Sequence, residues 1–138
     1  MSATRAFIVR PFGVEEGIDF EEVERKLIAP ALKACGIEGR TTGEITRQGN
    51  IREDMFRLLV LSNIVIADVS IYNANVFYEL GIRHGLQERH TLLIRAEDTK
   101  DKYPFDLQTD RYFVYDSAEP GKKLPAFLDA LSVCPKTY

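Results

Sequence analysis

Short apolar runs and longer amphipathic stretches alternate along the chain. Runs rich in β-branched and aromatic residues predict five strands, at Ala6–Arg10, Ile37–Thr42, Ile64–Val69, Thr91–Arg95 and Tyr112–Tyr115. The run at Ile64–Val69 has almost no polar alternation, which indicates a strand buried on both faces, as in a parallel sheet. The first strand stops at Pro11-Phe12-Gly13, a combination typical of a turn.

Apolar residues spaced three and four apart predict four helices, at Phe20–Ala34, Ile51–Ser62, Val76–Glu88 and Leu124–Leu131. Carboxylates crowd the start of the first helix, where the helix dipole favours them, and Gly36 follows its end as a C-cap. Pro30 lies inside that helix and should kink or split it, because proline lacks the backbone donor. Gly49-Asn50 provides an N-cap ahead of the second helix.

Strands and helices therefore alternate along nearly the whole chain, and this order builds a parallel sheet with helices on both faces. Right-handed crossovers leave few topologies open. We expect an α/β three-layer sandwich with a five-stranded, flavodoxin-like parallel sheet, and residues 1–138 as one domain. Ligands bind such sheets beyond the carboxyl ends of the strands. Three loops leave those ends, at Arg10–Asp19, Ser70–Asn75 and Ala96–Arg111, and the middle one is the richest in polar residues.

Composition narrows the classes of function. The net charge of −3 is spread along the chain without a basic stripe, which argues against nucleic-acid binding. No apolar run approaches the roughly 20 residues that cross a bilayer. Cys35 and Cys134 lie far apart without a CxxC motif, so we expect neither a disulfide framework nor a metal site, and a reduced, cytoplasmic setting. Neither GxGxxG nor GxxxxGK[ST] is present, which weakens hydride transfer and ATP hydrolysis as hypotheses.

Two carboxylates near the polar loop are candidates for chemistry. Asp68 falls at the end of the buried strand, where it either caps the loop or contacts a ligand. Glu79 follows on the next helix with Arg83 four residues later, so the spacing also fits an ordinary ion pair on the helix surface. Gly81 and Gly85 share one helical face, and each costs about 1 kcal/mol relative to alanine. We therefore expect that close packing of this helix on the sheet explains them.

The segment Ser62–Leu86, SNIVIADVSIYNANVFYELGIRHGL, resembles the hallmark segment of the nucleoside 2-deoxyribosyltransferase-like superfamily: a buried strand, a polar loop, then Glu-Leu-Gly on a helix. A later segment, Pro104–Asp116, is similar to a subgroup of bacterial TIR-like domains. That subgroup is also similar to the TRAF-binding region of stress-activated MAP kinase kinase kinases. One departure is that typical TIR domains carry a Trp-Cys pair before the glutamate, whereas this chain has Phe77-Tyr78 and no Trp.

The resemblance implies a catalytic role for Glu79, as the nucleophile or as the stabiliser of the oxocarbenium ion that forms at the anomeric carbon. Asp68 is the implied second catalytic carboxylate, and with Asn73 it would hold the ribose hydroxyls or the leaving base. Asp54 lies near a second acidic position of the hydrolases in the family.

The implied substrate-binding residues are Arg10, Phe12, Asp54, Ser70, Asn73, Asn75 and Tyr78. Among them, Arg10 would contact a phosphate and Phe12 a base. The implied activity is that of an N-glycosidase acting on a nucleotide, with NAD⁺ as the most favoured substrate and without a cofactor. The resemblance also implies a homo-oligomer that works in a bacterial defence or signalling system. The alternative is a non-catalytic nucleotide-sensing or protein-interaction module of a larger signalling system, because the kinase relatives lack the glutamate.

Overall fold

Five of the strands pair in parallel into one sheet. The protein is described by a computed structural model that covers residues 4–41, 57–86, 90–97 and 112–133. In chain order the strands are β1 (Arg5–Val9), β2 (Val14–Glu15), β3 (Ile18–Asp19), β4 (Glu38–Thr41), β5 (Ile64–Asp68), β6 (Thr91–Ala96) and β7 (Tyr112–Tyr115). The five-stranded sheet has the order β4-β1-β5-β6-β7, with every neighbouring pair parallel. This is the flavodoxin-like order, and the predicted fold class is confirmed.

Strand β5 lies at the centre of this sheet, between β1 and β6. All five of its residues are buried, as its continuous apolar run predicts. Ile64 and Ile66 face one hydrophobic layer, and Val65 and Ala67 face the other. Strand order reverses direction between β1 and β5, so the carboxyl ends of these two strands form the switch point where ligands bind in open α/β sheets.

The predicted first helix forms over its whole predicted length, in three consecutive pieces. They are α1 (Phe20–Val23), a π-helical turn (Glu24–Ile28) and α2 (Ala29–Ala34). The predicted disturbance by Pro30 is therefore present as a widened turn just before it. Because Pro30 has no N–H and its ring crowds the carbonyl four residues earlier, a regular α-helical turn is disfavoured there.

The end of α2 is closed by Gly36, as predicted. Gly36 has a φ of +69°, a left-handed conformation that glycine adopts without steric cost. Its N–H donates to the carbonyl of Lys33 at 3.1 Å, and the N–H of Ile37 donates to the carbonyl of Leu32 at 2.8 Å. These two bonds form a Schellman motif and satisfy carbonyls that the helix leaves unpaired.

Helix α3 (Ala74–Leu86) follows β5, and α4 (Leu124–Val133) ends the described part of the chain. Helix α3 begins two residues earlier than predicted, because Asn73 Oδ1 accepts the Val76 N–H at 3.1 Å and so caps its start. Residues 57–61 are helical, as predicted. The Gly49-Asn50 cap, the first half of that second helix (residues 51–56) and the 98–111 connection lie outside the described residues.

The structure differs from the sequence-based expectations at two further places. The predicted loop after β1 contains a hairpin, β2 paired antiparallel with β3, whose turn has positive φ at Glu16 and Gly17. The predicted close packing of Gly81 and Gly85 on the sheet is wrong: both are exposed, and a Cβ added at either would meet nothing within 4 Å. They lie opposite the face that carries Val76, which is the buried one.

Candidate active site

Asp68, the last residue of β5, is buried at the carboxyl edge of the sheet with 1% of its surface exposed. Its Oδ1 accepts the Ser70 N–H at 2.9 Å and the Ser70 hydroxyl at 2.6 Å. Its Oδ2 accepts the hydroxyl of Tyr115 at 2.6 Å. Both oxygens are thus hydrogen-bonded, and through its contacts with Ser70 the carboxylate caps the loop that follows β5. Its catalytic role stays a prediction.

Burial and polar contacts shift the pKa of Asp68 in opposite directions. Burial raises the pKa of Asp68 from 3.8 to about 6, because a buried carboxylate loses its hydration. The hydrogen bonds from Ser70 and Tyr115 and the positive charge of Arg10 lower the pKa but do not offset the burial. Near neutral pH the group is mostly ionised, and it takes up a proton under mildly acidic conditions.

Ser70 joins three strands at this edge. Besides donating to Asp68, its Oγ accepts the N–H of Ala96 at the end of β6, at 2.8 Å. The same oxygen lies 3.2 Å from the hydroxyl of Tyr115, which ends β7. Sequence reasoning missed Tyr115 as a member of this site. The available signal was a tyrosine at the carboxyl end of a parallel strand, where the ends of neighbouring strands meet.

Glu79 lies in the second turn of α3 and is only 5% exposed, although it is a carboxylate. It shares the inward face of the helix with Val76, Leu80 and Arg83, which are also buried. The rise of a helix places Glu79 about 7.5 Å along the axis from Ala74, the first residue of α3. A carboxylate with so little exposure is uncommon in a folded protein.

Arg83, one helical turn beyond Glu79, is 1% exposed. Its Nη1 donates to the carbonyls of Leu59 at 2.7 Å and Ser62 at 2.9 Å, so it anchors α3 at the amino end of β5. Burial lowers the pKa of its guanidinium from the usual value. The interpretation of Glu79 and Arg83 as an ordinary surface pair is wrong, because both side chains are inside the protein.

The other predicted contacts on α3 are spread over different sides of the helix. Asn73 caps its start through Val76, and Asn75 is exposed in the first turn. Tyr78 is 57% exposed and points to the side opposite the buried face. The structure therefore brings together Asp68 and Ser70, and it keeps Tyr78 away from them.

Arg10 follows β1 at the switch point, and its side chain is 8% exposed. Its Nε donates to Glu24 at 2.7 Å, and its Nη1 lies 3.4 Å from Glu21. A phosphate would thus have to compete with two carboxylates for this guanidinium. Phe12 is 48% exposed and accessible to a base, with its ring centroid 5.9 Å from the Arg10 guanidinium carbon. Asp54 lies outside the described residues.

Within residues 4–41, 57–86, 90–97 and 112–133, His, Cys, Asp and Glu nowhere gather in a group of three that could hold a metal ion. In those same ranges, no helix combines the length and the apolar character needed to cross a membrane.

No protein-family model matches the sequence, and no curated protein matches it. Among solved structures, the fold is similar to that of a 2-deoxyribosyltransferase from the psychrotolerant bacterium Bacillus psychrosaccharolyticus, a biocatalyst for nucleoside synthesis. The TM-score is 0.62 at 14% sequence identity, over 90% of this chain and 95% of that one. The likeness establishes a deoxyribosyltransferase-like α/β fold, which confirms the predicted resemblance as far as the fold is concerned. The TIR-like part of the resemblance stays a prediction.

Proposed function

We propose that this protein acts on the N-glycosidic bond of a nucleoside or nucleotide, with Glu79 as the carboxylate that meets the anomeric carbon. The observation that carries the proposal is the burial of Glu79 on α3, the helix that follows the central strand of a deoxyribosyltransferase-like sheet. A carboxylate with 5% exposure is shielded from water, so its interaction with a positive charge is stronger than at the surface.

The proposed role of Glu79 follows from the positive charge that develops on the sugar during cleavage. As the bond between the anomeric carbon and the base nitrogen breaks, its electron pair goes to the base and positive charge builds on the sugar. A Glu79 oxygen then either stabilises that charge or forms a bond to the anomeric carbon. Attack by water then gives the free sugar and a proton, whereas attack by a second base gives a new nucleoside, and either step leaves Glu79 as the free carboxylate.

NAD⁺ is the first substrate to test. Its nicotinamide is a cation while attached to ribose and leaves as a neutral molecule, so it needs no proton from a general acid. Deoxynucleosides come next, because the similar structure is that of a 2-deoxyribosyltransferase. We place the activity in the cytoplasm, in a bacterial defence or signalling system, and expect a homo-oligomer to carry it out.

Base release measures the proposed activity. The protein at high concentration is incubated with NAD⁺ and with nucleosides, and the free base is separated and quantified. Replacing Glu79 by Gln should reduce release at least 100-fold, because the amide keeps the size of the side chain but cannot neutralise the sugar. Glu38→Gln, on exposed β4, is the matched control and should keep the activity.

The second candidate is a nucleotide-sensing or protein-interaction module without catalysis. The exposed side of α3 favours it, since Glu79 and Arg83 are buried and Tyr78, Gly81 and Gly85 face outward. Such a face suits contact with another macromolecule, because no Glu or Arg of α3 has to be desolvated there. If wild type and Glu79→Gln bind nucleotide equally and neither releases base, this candidate replaces the first.

A further inference from the structure

We infer that Tyr115 and Ser70 are positioning residues: they hold the Asp68 carboxylate at the carboxyl edge and thereby hold the loop that leads to α3 and Glu79. The inference rests on the proposed function for its catalytic consequence. Its structural content is independent of that function, since it follows from the hydrogen bonds of three buried side chains.

The hydrogen atoms of this network can be assigned from its distances. The Ser70 and Tyr115 hydroxyls each lie 2.6 Å from an Asp68 oxygen, a length typical of bonds to an ionised carboxylate. Each hydroxyl has a single hydrogen, and Ser70 Oγ already accepts the Ala96 N–H. The two hydroxyl oxygens, 3.2 Å apart, then have no hydrogen left to share. The network is therefore complete when Asp68 is ionised.

Protonation of Asp68 changes this arrangement. The new carboxylic acid must donate its hydrogen to Ser70 or Tyr115, and that hydroxyl has to rotate away from the acid. The contact of 3.2 Å between the two hydroxyls is where its hydrogen can go. The contact between Asp68 and that hydroxyl then runs in the opposite direction, and the bonds that hold Asp68 are no longer assisted by its negative charge, which weakens the hold on Asp68.

Asp68 is connected to Glu79 through a short piece of backbone. Asp68 Oδ1 binds the Ser70 N–H, and three residues later Asn73 caps α3. Glu79 lies in the second turn of that helix, so movement of the loop changes where its carboxylate meets a substrate. A misplacement of about 1 Å can reduce the rate of a positioned reaction by about 100-fold.

Other charged groups around Asp68 belong to neighbouring elements. Among the described residues, Arg10, which follows β1, is a cation that acts on Asp68. Arg10 is bound in turn by Glu21 of α1 and by Glu24 of the π-helical turn. Tyr115 is the group that reaches Asp68 from β7. Variants of Tyr115 leave the ion pairs of Arg10 intact, so they test the network by itself.

The test compares Tyr115→Phe with Tyr112→Phe, a matched loss of a hydroxyl at the other end of β7. The first readout is the titration of the Asp68 carboxyl carbon by NMR. Loss of the Tyr115 donor should move the midpoint of this titration upward, whereas Tyr112→Phe should leave it in place. Ser70→Ala, which removes the other hydroxyl donor, should move it in the same direction as Tyr115→Phe.

The second readout is the pH profile of base release. With Tyr115→Phe, kcat at pH 8 should stay within about threefold of wild type and fall about tenfold below it at pH 5, with little change in KM. Faster hydrogen exchange of the Val76 and Phe77 amides at pH 5 should accompany that loss.

The two proposals fail separately. An Asp68 titration that does not move in Tyr115→Phe, or that moves equally in Tyr112→Phe, overturns the inference. If wild type releases no base from any substrate, the proposed function fails, and the NMR titration with the exchange of the α3 amides still decides whether Tyr115 holds Asp68 and the loop.

Discussion

Asp68 should govern how the stability of this protein changes with pH between about 4 and 7. The folded state raises the pKa of this carboxyl from 3.8 to about 6, chiefly through burial, so the folded protein holds the proton more tightly than the unfolded chain. Protonation therefore favours folding. The contribution is fully present below pH 3.8 and is lost as the pH rises through about 6.

The magnitude follows from the difference between the two pKa values. They differ by about two, and each pKa unit corresponds to about 1.4 kcal/mol, so the free energy of unfolding should fall by about 3 kcal/mol in total from this group as the pH rises from below 3.8 to 7, with most of the fall above pH 4. A small domain has only about 5–15 kcal/mol in total, so the change is measurable.

Asp68→Asn removes this contribution while keeping the shape of the side chain. The amide resembles the protonated acid: its Oδ1 can still accept from Ser70, and its Nδ2 can donate to Tyr115 in place of the hydrogen that Tyr115 donated. The variant should match wild type at pH 4 and exceed it by up to about 3 kcal/mol at pH 7. By the positioning argument above, it should also lose activity.

Urea unfolding, followed by circular dichroism at half-unit steps from pH 4 to 8, measures these differences. Asp129→Asn, at an exposed position on α4, is the control and should run parallel to wild type. A large contribution of Asp68 is refuted if Asp68→Asn and wild type lose the same free energy of unfolding between pH 4 and pH 7.

Three further substitutions test the helix that carries Glu79. Gly81→Ala should raise the free energy of unfolding by about 1 kcal/mol in urea, because the added methyl meets no neighbour and glycine is a poor helix former; a lower value would contradict the open geometry. Asn73→Ala should lower it by about 1 kcal/mol through loss of the cap, with Asn73→Asp retaining most of it. Arg83→Met should lower it by about 3 kcal/mol or more, since the buried carbonyls of Leu59 and Ser62 lose their donor, and an unchanged midpoint would contradict that role.

Patterns that repeat along the chain were sufficient to predict the five strands of the main sheet and the helices beside them, but not the short hairpin of β2 and β3. The apolar run at Ile64–Val69 predicted the central strand, and the spacing in Phe20–Ala34 predicted the first helix with its disturbance near Pro30 and its glycine cap. Alternation of strands and helices then predicted a parallel, flavodoxin-like sheet, and the observed strand order is that of this fold. These features depend on backbone conformational preferences and on the position of the hydrophobic face of each element. Both can be read from a few residues that are neighbours in the sequence.

The candidate site depended on contacts that no local pattern contains. Tyr115 binds Asp68 across 47 residues of sequence, and only the parallel arrangement of β5, β6 and β7 brings them together. Packing also decided that Arg83 turns inward to the carbonyls before β5, and that Gly81 faces outward. The physical reason is that periodicity tells which residues share a face of an element. Which partner that face meets is decided by how the elements pack.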